Sequence, residues 1–68
     1  MANKKYWQMG DRVFGRFHGI PFIGSVALYH SNDPNRILIF NDLPIIHKGA
    51  KLTMLELHPK HIRSLTQF

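Results

Sequence analysis

A chain of 68 residues without cysteine carries nine Lys/Arg against four Asp/Glu, a formal charge of +5 with neutral histidines. Disulfide staples and thiolate zinc sites are excluded, and the length allows one domain that buries only roughly 60% of the surface its unfolded chain exposes. At 44% hydrophobic residues the chain is too apolar to be disordered by composition.

A core this small normally leans on disulfides, a metal or oligomerisation, so a homo-oligomer is expected. No apolar run approaches the roughly 18 residues of a membrane-spanning helix. After Met1-Ala2-Asn3-Lys4-Lys5, the residues Tyr6-Trp7-Gln8 stand where a signal peptide would need its apolar stretch. A cytoplasmic protein with no membrane partner is the expectation. The cation excess draws a small domain to polyanions through counterion release, which makes DNA or RNA the expected partner.

In chain order, residues 1–8 read as a flexible basic and aromatic arm, and residues 9–68 as one β domain. Met9-Gly10-Asp11 turns into a first strand over 12–17. His18-Gly19-Ile20-Pro21 breaks it, since glycine admits positive φ and proline cannot donate to a ladder. A second strand covers 22–30, with Gly24 suggesting a bulge or bend. Alternation across this hairpin puts Val13 and Val26 in the core and leaves Phe14, Arg16 and Tyr29 facing outward.

Ser31-Asn32-Asp33-Pro34-Asn35 is a loop of turn-formers. A short apolar strand follows over 36–40, then a tight turn at Asn41-Asp42. The next piece starts at Leu43-Pro44-Ile45-Ile46, its proline favouring an edge or an irregular loop. Lys48-Gly49 is another turn and 51–57 a fourth strand. His58-Pro59-Lys60-His61 reads as one helical turn and Ile62-Arg63-Ser64-Leu65 as a closing strand. The predicted fold is all-β: a single small SH3-like barrel of about five strands, with a short helical turn before the last.

The chemistry-bearing residues form one main set, a basic–aromatic surface of Lys4, Lys5, Trp7, Arg12, Phe14 and Arg16, with Tyr6, Phe17 and Phe22 nearby. Cations neutralise phosphates while aromatic faces stack on unpaired bases. Phe14 and Arg16 share one side of the first strand, with Val13, Gly15 and Phe17 on the other. A barrel this small needs its large apolar residues for packing, which claims Phe17 and Phe22 first. Trp7, placed outside the barrel, either seals an end or stacks on a ligand.

The five histidines include His58 and His61, three apart, but no cysteine or nearby carboxylate completes a zinc set. Asp11, Asp33 and Asp42 fall in turns, no nucleophile sits beside a base, and the glycines do not match a phosphate-cradling loop. No catalytic residue, metal or cofactor is assigned.

Gly10-Asp11-Arg12-Val13 with Gly24-Ser25-Val26 resembles the KOW and Tudor-like group of SH3-like modules. That resemblance implies binding to RNA, DNA, ribosomal or transcription proteins, or methylated tails. The stretch from Met9 to Tyr29 also resembles the plasmid-borne type II dihydrofolate reductases, in which four SH3-like subunits surround one pore. In that family a Val-Gln-Ile-Tyr strand from each subunit holds NADPH and dihydrofolate. Its matching place is Leu55-Glu56-Leu57-His58, just before Pro59, with Glu56 for the glutamine and His58 for the tyrosine. Four carboxylates around one pore would repel the cofactor's phosphates. The resemblance therefore carries over the scaffold and a tetramer, without the reductase activity.

The expected function is a small basic nucleic-acid-binding protein, a regulatory or accessory factor of a phage or plasmid. Lys4, Lys5, Arg12 and Arg16 would contact phosphates, with Arg36, Lys48, Lys51, Lys60 and Arg63 in reserve, and Trp7 and Phe14 would stack. A protein-interaction module using Trp7, Phe14 and Tyr29 is the alternative of a different class, and an oligomeric reductase-like protein the third.

Overall fold

The computed structural model describes residues 6–65. Its elements are β1 (Arg12–Phe17), β2 (Ile20–Tyr29), β3 (Ile37–His47), β4 (Ala50–Leu57), a 3-10 turn (Pro59–His61) and β5 (Ile62–Ser64). The strands make one antiparallel sheet in the order β4-β3-β2-β1-β5. The all-β class, the five strands and the helical turn before the last strand are as the sequence predicts.

The two tight hairpins, β1–β2 and β3–β4, close through the same device. His18 and Gly19 have φ of 49° and 82°, and Lys48 and Gly49 have φ of 52° and 79°. Positive φ at both central residues is the type I′ turn, whose twist matches that of the strands it joins. The two hairpin ends then meet: Phe17 lies edge-on to His47 at 5.4 Å, and His18 stacks on His47 at 4.6 Å. This contact curls the sheet into a small barrel-like form.

Residues opposite each other in an antiparallel ladder share a face, so the rows of the sheet define its core. Val26, Ile39 and Leu55 form one such row and are almost fully buried, as are Val13, Ile37 and Ile62. Phe17 and Phe22 go to the core side as expected. Tyr29 does so too, against the expectation that it faces outward. The reason is a bulge: Val26 pairs with Ile39 but Leu28 with Leu38, so Ala27 is an extra residue that swaps the faces beyond it. The irregularity expected at Gly24 therefore falls three residues later. Gly24 serves close approach instead, since a Cβ there would lie 2.3 Å from the Phe40 carbonyl oxygen.

Asn41-Asp42 is not a turn between two strands but part of the single strand β3. The β3–β4 ladder pauses between the pairs Phe40–Met54 and Ile45–Leu52. Asn41 is buried, and its Nδ2 donates to the carbonyls of Leu43 at 2.8 Å and Leu52 at 3.0 Å. A side chain thus supplies the bonding that the backbone forgoes there. Asp42, Leu43 and Pro44 are left exposed on the outward side of the sheet.

Trp7 is 5% exposed and belongs to the core cluster. The Gly10 N–H donates to the Val26 carbonyl at 2.8 Å, and the Val26 N–H to the Asp11 carbonyl at 2.9 Å, so the chain before β1 is tied to β2. At the other end, His58 Nδ1 accepts from the Lys60 N–H at 3.0 Å and caps the 3-10 turn. The Leu65 N–H donates to the Arg12 carbonyl at 3.0 Å, fixing the exit from β5.

Candidate functional site

The register of β1 places Arg12, Phe14 and Arg16 on its outward face and Val13, Gly15 and Phe17 toward the core. Phe14 pairs with Ile23 on β2 and with Arg63 on β5. Arg16 pairs with Pro21. A half-buried aromatic ring is thus set among arginines along β1 and across the strand.

Beside this stripe runs an open groove of about 1010 Å³. Phe14, Arg16, Pro21 and Ile23 line it from the first hairpin, Leu43, Pro44 and Ile46 from the outstanding stretch of β3, and Leu65 from beyond β5. Leu43 is 78% exposed and Ile46 65%. An apolar concavity of this size on so small a protein is the kind of surface that marks a binding site.

Asp42 also lines the groove, and it is held by Arg12. Arg12 Nη1 donates to Asp42 Oδ1 at 2.9 Å and to Ser25 Oγ at 2.8 Å, while Nη2 pairs with Asp42 Oδ2. The hydrogen bonding from Arg12, assisted by its charge, holds the Asp42 carboxyl below the usual carboxylate range. The two side chains are 41% and 47% exposed, so salt screens them.

The sequence-predicted residues are therefore distributed unequally. Phe14 and Arg16 are together at the groove. Arg12 shares their face but spends its guanidinium on Asp42. Trp7 is packed inside, with no open ring face for a base to stack on. Lys4 and Lys5 lie outside the described residues. The reserve cations do not gather on one side: Arg36 and Lys48 flank opposite ends of β3, and Arg36 faces Asp33 at 3.1 Å and Glu56 at 3.7 Å. Arg63 earns a place beside Phe14 that the sequence reading gave it only in reserve; its Nη1 donates to the Lys60 and Ile62 carbonyls at 3.2 and 3.0 Å.

The groove wall of Leu43, Pro44 and Ile46 was missed as a functional feature. Its signal was present in the run Leu43-Pro44-Ile45-Ile46, where a proline interrupts an apolar stretch directly after two polar residues. Among the described residues no three His, Asp or Glu side chains cluster as metal ligands. Glu56, at the place matching the reductase pore strand, points outward toward Arg36. No helix among the described residues is long and apolar enough to cross a membrane. No family model, no curated protein and no solved structure matches this chain.

Proposed function

We propose that this protein is an SH3-like nucleic-acid-binding module that takes single-stranded DNA or RNA along the outward face of β1. The observation that carries the reading is Phe14 lining an apolar groove, with Arg63 opposite it on β5 and Arg16 two residues along β1. Bases stack on Phe14 and against Ile23 and Pro21, while Arg16 and Arg63 meet the phosphates. Stacking on aromatic residues tolerates any base, and phosphate contacts position without reading sequence, so the binding is of low sequence specificity.

Fluorescence anisotropy with single-stranded and duplex oligonucleotides at two salt concentrations tests it. Phe14→Ala is expected to weaken single-strand binding about tenfold or more, from the ~1–3 kcal/mol that each stacked base contributes. Arg16→Ala is expected to lower the salt slope by about 0.7, the value for one phosphate contact on a single strand. Unchanged affinity in both variants overturns the reading.

The apolar character of the groove favours a second reading, an extended peptide as ligand. Its binding would lose little between the two salt concentrations, whereas phosphate-driven binding falls steeply.

A further inference from the structure

The sheet has two unequal edges. β5, at one end, is three residues long. β4, at the other, is eight residues long and contains no proline, and among the described residues the only strand bonded to it is β3. A long edge of unpaired N–H and C=O groups is a template for another strand, and proteins that stay monomeric usually shorten or interrupt it.

The side chains of β4 single out what fits there. Lys51 pairs with Ile46 and Glu56 with Leu38, all on the outward side, whereas Leu52 and Leu55 pair with the buried Ile45 and Ile39. In a regular strand, residues three or five apart face opposite ways. Here they face the same way, because β4 changes face opposite the irregular stretch of β3. That fault has a consequence for self-pairing. Laying two copies of β4 antiparallel over their whole length sets Ala50 against Leu57, Lys51 against Glu56, Leu52 against Leu55 and Thr53 against Met54 of the second copy. Opposite residues must share a face, and the face change makes the full-length register satisfy that rule for Lys51–Glu56 and Leu52–Leu55 alike. Shifting the register by one residue either way sets Leu52 or Leu55 against a residue of the other face or against the junction itself.

We propose that β4 is a homodimerisation edge, in which two copies of this chain join their sheets through antiparallel β4 strands about a two-fold axis. Each Lys51 faces Glu56 of the second copy, and the two-fold repeats the pair, so the interface is isologous and closed. Opposite charges across an antiparallel pair favour it, and like charges oppose it. The proposal is independent of the groove, which lies on the other side of β3.

Charge swaps test it in the full chain. Sedimentation equilibrium of the unaltered protein is expected to show a concentration-dependent passage from monomer to dimer. Lys51→Glu and Glu56→Lys each place like charges at both pairs and are expected to loosen the dimer roughly tenfold or more. The double variant K51E/E56K restores opposite charges and is expected to return the dimer to its original strength. Because Glu56 also faces Arg36, circular dichroism checks that each variant keeps its sheet; if E56K does not fold, K51E reads the same two pairs. A monomer at every concentration overturns the proposal. So does a dimer indifferent to both single swaps, or one that the double swap fails to rescue.

Discussion

The two hairpins begin from the same turn and end as different structures. The β1–β2 hairpin pairs six residues with six in unbroken register, and its outward side carries the stripe of Arg12, Phe14 and Arg16. The β3–β4 hairpin, closed by an equivalent Lys48-Gly49 turn, breaks its ladder between Phe40 and Ile45 and pushes Asp42, Leu43 and Pro44 outward. The groove exists because one ladder is regular and the other is not. Turn chemistry sets how a hairpin starts, while a buried polar side chain several residues away decides whether its ladder continues.

The sharpest way to break this comparison is at the seam where the hairpins join. Gly24→Ala would drive a Cβ into the Phe40 carbonyl of β3 and is expected to cost about 3 kcal/mol, the upper end for overpacking, measured by urea unfolding. A near-neutral result would mean that β2 and β3 can separate without loss.

Removing the pin of the irregular ladder comes next. Asn41→Ala strips the two hydrogen bonds to Leu43 and Leu52 and is expected to cost about 2 kcal/mol, the range for leaving buried groups unpaired. Hydrogen exchange should quicken at residues 41–46 and stay slow across the β1–β2 ladder; uniform quickening would contradict a local role.

Smaller and equal effects are expected at the two turns. Nothing lies within 4 Å of a Cβ added at Gly19 or Gly49, so alanine there feels only the left-handed backbone, about 1 kcal/mol each. Unequal costs would show that the two turns are not equivalent after all.

The smallest effect concerns Arg12 and Asp42, which link the hairpins across β2. Because the folded Asp42 carboxyl titrates below its unfolded value of about 3.9, the stabilisation is present above that value and is lost as pH falls through the folded one. Asp42→Asn should therefore lower the urea midpoint at neutral pH, lose that deficit in acid, and show less of it in high salt. A deficit that persists in acid would place the role of Asp42 in packing rather than charge.

Much of the fold was legible in the residues. The bounds of β1 follow from its turns and alternation, and Val13 and Val26 were readable as core because a hairpin with a glycine turn sets their spacing. The helical turn and short closing strand followed from His58-Pro59 and the apolar pair after it. The candidate site was legible only in half. Phe14 and Arg16 share a face by strand period alone, a local property. Their neighbour Arg63 and the opposite groove wall come from distant parts of the chain, and no period connects them. Trp7 misleads because an aromatic beside a basic tail has the same composition whether it packs or protrudes.

What the sequence alone determined was local: the β class, the two X-Gly turns, the alternation of β1 and the charge of the whole chain. These rest on backbone preferences and on periods of two residues, which a single strand carries within itself. Only the tertiary structure decided that Tyr29 turns inward, that Trp7 is buried, and that Arg12 is engaged by Asp42 while Arg16 lines the groove. Each of those depends on a bulge or a partner far along the chain: one extra residue at Ala27 reverses which side of the sheet the end of β2 presents, and Asp42 on β3 takes up the Arg12 guanidinium from β1.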